Sequence, residues 1–147
     1  RRRRRWRRCR RLRTSIDLNT MSWTYLATIA EKRGSGAAAT GDVLMVAHMN
    51  EEALRKTIAS GEAWYFSRSR NALWRKGETS GQTQRVVEMR LDCEQDAIWI
   101  RVEQQGAACH TGRHSCFYRK VDISDGSARL SFVDADRLFD PKAVYRE

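Results

Sequence analysis

The chain has 147 residues, a formal net charge of +10 and 41% hydrophobic residues, a length suited to one domain with one compact core. The charge is misleading: ten of the 28 Lys+Arg residues fall between Arg1 and Arg13 with no acid among them, leaving 18 bases against 18 acids from Thr14 onward. A body this balanced is no general polyanion binder, and its longest apolar run, Val43 to Ala47, is far short of the roughly 20 residues of a membrane-spanning helix.

The first methionine is Met21, which is expected to be the natural start. Residues 1–20 then read as a basic, disordered extension, and residues 21–147 as the domain; an organelle-targeting peptide and a nucleic-acid arm are the competing readings. The extension lacks the apolar stretch of a secretory signal, and three of the four cysteines lie between Cys93 and Cys116. An intracellular, cytoplasmic setting is expected, where clustered cysteines serve as metal ligands or catalytic groups more often than as disulfide partners.

Gly34 to Gly41 reads as a flexible loop, and Val43 to His48 as a short buried strand. A helix follows. Asn50 is a good N-cap, Glu51 and Glu52 suit the positive end of the helix dipole, Leu54 and Ile58 are expected on the buried face, and Gly61 ends it. Ala63 to Ser67 resumes as strand. Arg68 to Thr83 is polar, glycine-rich and without a clear period, the kind of irregular segment that is often functional. Gln84 to Leu91 and Ala97 to Glu103 are rich in β-formers, and Phe117 to Ile123 with Ala128 to Val133 form a hairpin across 124–127. Pro141 marks the tail. These elements predict a strand-rich α+β fold: a mixed, open-barrel-like sheet with one main helix.

Three groups of residues carry chemistry. Asp92, Glu94 and Asp96 stand at alternate positions; in an extended strand they share one face, with Cys93 on the other. Carboxylates so placed are solvated, paired with bases or bound to a hard cation such as magnesium. Cys93, Cys109 and Cys116, with His110 beside Cys109, are candidate zinc ligands, and a site with three protein ligands keeps a fourth position for water. Zinc would lower the pKa of that water from 15.7 to roughly 7. If Cys93 points away from an acidic pocket, a zinc site joining it to Cys109 and Cys116 bridges two chains; a bend at Cys93 would let all three meet within one. The third group is Ser67, Arg68, Ser69 and Arg70 with Trp74, Arg75, Lys76, Thr79 and Ser80. Its guanidinium forks, ammonium, hydroxyls and indole suit a nucleotide carrying phosphates at two ends.

Taken in order, Met49-Asn50-Glu51-Glu52-Ala53-Leu54, Ser67-Arg68-Ser69-Arg70, Leu73-Trp74-Arg75-Lys76-Gly77-Glu78-Thr79-Ser80-Gly81, the acidic segment, and Ala108-Cys109-His110-Thr111-Gly112 with Ser115-Cys116-Phe117-Tyr118 resemble the phosphoribosyl-AMP cyclohydrolase family. The resemblance spans about Val43 to Val121. It implies hydrolytic opening of the purine six-membered ring of phosphoribosyl-AMP, the third step of histidine biosynthesis, by an intertwined homodimer. It also implies magnesium at Asp92, Glu94 and Asp96, and zinc between Cys93 of one subunit and Cys109 and Cys116 of the other. Glu94 stands where the family usually has Asp, and His48 where an aromatic residue is common. His110 is the candidate general acid/base, and Arg68, Arg70, Arg75 and Lys76 are expected to neutralise substrate charge. Two rivals stay open: a nucleic-acid-binding module acting through the arginine arm, and a zinc hydrolase of another purine nucleotide.

Overall fold

The computed structural model describes residues 25–31, 42–124 and 128–145, so the expected extension over 1–20 and the loop Gly34 to Gly41 lie outside the described residues. In chain order the elements are β1 (Tyr25–Glu31), β2 (Val43–Met49), α1 (Glu51–Ser60), β3 (Trp64–Ser67), β4 (Ala72–Arg75), β5 (Gln84–Leu91), β6 (Ala97–Gln104), β7 (Arg119–Val121), β8 (Leu130–Phe132) and the short α2 (Pro141–Val144). The fold is strand-rich α+β. A four-stranded sheet runs in the order β2-β1-β6-β5, with two-stranded β3-β4 and β7-β8 sheets beside it. The main sheet is mixed, because β1 runs antiparallel to β2 and parallel to β6. The strand β1 was not anticipated from sequence.

The alternation read in β6 is borne out: Ile98, Ile100 and Val102 are buried while Trp99, Arg101 and Glu103 are less so. Ile98, Ile100 and Val102 meet Leu44 and Met49 of β2, Ala53 and Leu54 of α1, and Tyr65 of β3 in one core. Burying each large apolar side chain of this kind contributes about 1.5–3 kcal/mol.

The helix obeys its expected caps. Asn50 Oδ1 accepts from the Ala53 N–H at 2.8 Å, and Gly61, at φ 69°, ends the helix with its N–H on Thr57 O. One expectation fails: Ile58 is 55% exposed, and the buried face is Ala53, Leu54 and Thr57. Thr57 takes the inner place because its hydroxyl donates to Ala53 O at 2.8 Å and accepts from the Trp64 N–H at 3.0 Å, tying α1 to β3.

Two more local expectations change. The segment expected to be irregular from Arg68 contains β4, which pairs antiparallel with β3 from Trp64↔Arg75 to Ser67↔Ala72. Four residues are too few for periodicity to show. The acidic segment is not extended either. Residues 92–96 form a tight turn between β5 and β6, with Gln95 at φ 60°. The Asp92 carboxylate makes the turn by accepting from the Asp96 and Ala97 N–H groups at 3.0 and 3.1 Å. Cys93 and the three carboxylates are therefore not sorted onto opposite faces of a strand.

Candidate active site

The free edge of β2 carries the cysteine loop. The Cys116 N–H donates to Leu44 O at 2.8 Å, and the Ser115 hydroxyl donates to Val43 O at 2.7 Å. Upstream, Ala108 N–H donates to His114 O, Cys109 N–H to Arg113 O and Gly112 N–H to Cys109 O, folding 108–114 into a compact knuckle. Gly112, at φ 84°, is required there, since a Cβ would stand 2.3 Å from Phe139 O. Cys109 is buried and its Sγ lies 3.0 Å from Thr111 Oγ1. Cys116 is exposed as a residue, yet its thiol meets Cys109. Burial above all, then the charge of Cys109 and the hydrogen bond to it, push the Cys116 thiol up to about 12, with Lys76 pulling the other way.

A second loop is locked to the first. Residues 76–83 turn tightly through Gly77 at φ 85°, and Gln82 reaches across so that its Oε1 accepts from the Ala107 N–H at 2.7 Å. Lys76 does not project with Arg75. The residue is only 7% exposed, and Nζ donates to Gln82 O at 3.3 Å and Ala107 O at 3.5 Å. Arg75 points elsewhere, into an ion pair with Glu62 at 2.7 Å. Thr79 is exposed, while Ser80 Oγ accepts from the Gln82 N–H at 3.3 Å inside the turn.

The remaining predicted substrate residues do meet. Ser67, Arg68, Ser69, Arg70 and Trp74 line one cavity of about 660 Å³ with Phe66 and the β2 residues Met45, Val46, Ala47 and His48. Arg68 and Arg70 are exposed and, among the described residues, neither is ion-paired with a carboxylate; Arg70 Nε donates to Ser67 Oγ at 3.3 Å. Trp74 forms a wall, steadied by Tyr65 at 4.9 Å between ring centroids. His48, which stands where the family commonly has an aromatic residue, is part of this wall as well. Its Nδ1 is buried without a hydrogen-bond partner, and burial first, then the Arg68 charge, lower its pKa.

The predicted ligands do not all gather in one chain. Cys93 sits exposed on the turn between β5 and β6, apart from the Cys109–Cys116 pair, and among the described residues no three His, Cys, Asp or Glu side chains converge to hold a metal. The thiol pair, soft and buried, fits two corners of a zinc site. The acidic turn offers Asp92, Glu94 and Asp96 at one exposed tip; desolvation pulls the Asp92 pKa up, but backbone donors from Ala97, Asp96, Glu94 and Gln95 outweigh it and bring it below the ordinary value. His110 is exposed beside Cys109.

Sequence reasoning missed Gln82, which docks the two loops, and the buried chain Tyr65–Gln84–Gln104. There Tyr65 Oη donates to Gln84 Oε1 at 2.6 Å, and Gln84 Nε2 to Gln104 Oε1 at 2.8 Å. The only signal in the sequence was the glycines flanking Gln82 and facing it, Gly77, Gly81 and Gly106.

A family model described as phosphoribosyl-AMP cyclohydrolase matches residues 45–118. Among curated relatives, the phosphoribosyl-AMP cyclohydrolase of Bradyrhizobium diazoefficiens is 85% identical over 109 residues, covering 74% of this chain and 78% of the relative. That of another Bradyrhizobium strain is 83% identical over 111 residues, covering 75% and 85%. The protein of the same name from Nitrobacter winogradskyi is 74% identical over 110 residues, covering 74% and 76%.

Proposed function

The chain belongs to the phosphoribosyl-AMP cyclohydrolase family, and from that membership we propose how its residues divide the work of the family reaction. The protein is a phosphoribosyl-AMP cyclohydrolase, a hydrolase of histidine biosynthesis acting on a small-molecule substrate. In the reaction water adds across a C–N bond of the purine six-membered ring and the ring opens.

The single observation that supports the division is the run of β2. Cys116 hangs from Leu44, and the arginine-lined cavity occupies the next four positions, Met45 to His48. At roughly 3.3 Å per residue that run is about 10 Å long. Arg68 and Arg70 hold one phosphate of the substrate through charge-assisted forks, Ser67 and Ser69 add hydroxyl donors, and Trp74 presents an apolar face to the base or ribose. The purine then lies toward the cysteine end.

Cys109 and Cys116 hold zinc together with the partner subunit's Cys93. Zinc in such a site supplies a Lewis acid that polarises water at neutral pH. A shared site is consistent with the exposure of Cys93 and its separation from the other two thiols. His110, exposed on the same knuckle, gives and takes the proton at the ring nitrogen. Asp92, Glu94 and Asp96 of the acidic turn would hold magnesium, a hard cation that prefers carboxylate oxygens; no step is assigned to it.

The dimer is supported by apolar side chains left exposed on the chain, among them Phe117, Val121, Leu130, Phe132 and Val133 around β7 and β8. Exposed apolar side chains are what a partner chain would cover, and the dimer proposed from the family resemblance is intertwined and open-barrel-like. The catalytic domain is proposed to run from Met21 in a reducing, cytoplasmic setting, with Arg1 to Arg13 taking no part. The test is direct: purified protein and phosphoribosyl-AMP, with ring opening followed by ultraviolet absorbance. Turnover that a zinc chelator abolishes and zinc restores is expected, undiminished in a chain starting at Met21. Absence of turnover in the metal-replete protein overturns the reading.

A further inference from the structure

His48 is the one polar side chain among the four β2 residues of the arginine cavity, where Met45, Val46 and Ala47 supply an apolar floor. The residue is half-buried, and its Nδ1 is buried and, among the described residues, has no hydrogen-bond partner. A phenylalanine would fill much the same space without that orphaned nitrogen, whose desolvation no bond in the fold offsets. Packing therefore does not explain an imidazole here. A buried N–H without an acceptor is rarer than a buried acceptor without a donor, so Nδ1 is the bare nitrogen and Nε2 carries the hydrogen. Burial first, then the Arg68 charge, hold the ring below its ordinary pKa, and at neutral pH it is an uncharged group with one N–H to give.

We infer that His48 is a further phosphate-binding residue of this cavity, its neutral Nε2–H donating to an oxygen of the substrate phosphate held by Arg68 and Arg70, which rests on the reading of the cavity as a phosphate subsite given above. A phosphate monoester carries about −1.5 to −2 charges at pH 7, and two guanidinium groups already balance it. A third full cation would leave excess positive charge, whereas a neutral donor adds direction alone. Arg68 and Arg70 belong to the connection between β3 and β4, but His48 stands on β2, the strand from which Cys116 hangs. Its hydrogen bond thus fixes the phosphate to the same strand as the cysteine knuckle, and a site held by a strand is more precise than one held by a loop alone.

The test uses the full chain, with steady-state turnover of phosphoribosyl-AMP and inhibition by ribose 5-phosphate, ribose serving as the control without phosphate. His48→Phe keeps the volume and removes the donor. It is expected to raise KM about 10- to 100-fold with kcat little changed, the range for one hydrogen bond to a charged group, and to weaken inhibition by ribose 5-phosphate by the same factor. His48→Gln places an amide N–H near the position of Nε2 and is expected to recover most of both losses. Nitrogen-15 spectra of the wild type are expected to show His48 with its hydrogen on Nε2, and to move on addition of ribose 5-phosphate but not of ribose; loss of the resonance in His48→Phe assigns it. A hydrogen on Nδ1 overturns the His48 contact, as does a loss in His48→Phe that His48→Gln does not recover. Wild-type constants in His48→Phe, while Arg68→Ala weakens inhibition, overturn that contact and leave the arginine subsite standing. Ribose 5-phosphate that inhibits the wild type no better than ribose, or inhibits wild type and Arg68→Ala equally, overturns the phosphate subsite and the His48 contact with it.

Discussion

Gly77 and Gly81 make a matched pair for testing whether the 76–83 turn is held by packing or merely by its own geometry. Both sit in the left-handed region, at φ 85° and 71°, so alanine at either costs about 1–2 kcal/mol from backbone conformation alone. Their surroundings differ. A Cβ on Gly81 meets nothing within 4 Å, whereas one on Gly77 would stand 2.7 Å from Gln82 C and Thr83 N and 2.8 Å from Thr83 Cα. Those are backbone atoms, so the turn must shift. The shift strains the Gly81 N–H to Gly77 O bond of 2.8 Å and the two bonds that dock the turn, Lys76 to Gln82 O and Ala107 N–H to Gln82 Oε1. At about 0.5–1.5 kcal/mol net per hydrogen bond, Gly77→Ala should lose about 2.5–6.5 kcal/mol and Gly81→Ala only the backbone cost of about 1–2 kcal/mol. Urea unfolding at one fixed protein concentration measures both. Equal losses, within about 1 kcal/mol, would refute the claim that the turn is clamped onto its own second half.

Three further outcomes follow from the cavity and the core. Arg68→Ala should lower kcat/KM by about 10- to 100-fold, mainly through KM, as expected for one lost charge-assisted hydrogen bond; an unchanged KM removes Arg68 from the phosphate site. His48 has a folded pKa below its ordinary 6.5, so just below that pH the unfolded chain binds more protons than the folded one. Its contribution to stability is complete above about pH 6.5 and is lost as pH falls through the window down to the folded value. His48→Phe should flatten that limb of the stability curve without breaking a hydrogen bond at Nδ1, and an unchanged limb assigns it to other groups. Tyr65→Phe leaves Gln84 Oε1 buried without its donor and should cost about 1–3 kcal/mol with KM unchanged, checked by unfolding and steady-state kinetics side by side.

The sequence made local geometry readable and long-range geometry much less so. Asn50 and Gly61 announced both ends of α1, because capping needs only the residues at hand. The β7–β8 hairpin was readable across its short connection for the same reason. The acidic segment misled because Asp-x-Glu-x-Asp has the period of a strand, while Asp92 is spending its carboxylate on the backbone of its own turn. The position of β1 between β2 and β6 depends on partners some seventy residues away in the chain, which no local pattern encodes. Likewise, Ser67 to Arg70 line one cavity as neighbours in sequence, but Arg75 and Lys76 could be separated from them only by Glu62 and Ala107, distant residues that draw each side chain elsewhere.

A zinc site completed by two chains is tested most directly by mixing inactive variants. Cys93→Ser and Cys109→Ser, each expected to be inactive alone, are unfolded, mixed in equal amounts and refolded together, and phosphoribosyl-AMP turnover is followed by ultraviolet absorbance. In a two-fold dimer half of the random assemblies are mixed, and each of those holds one site with all three thiols intact. Recovery of about one quarter of wild-type activity is predicted; activity no higher than that of the separately refolded variants would contradict the shared zinc site.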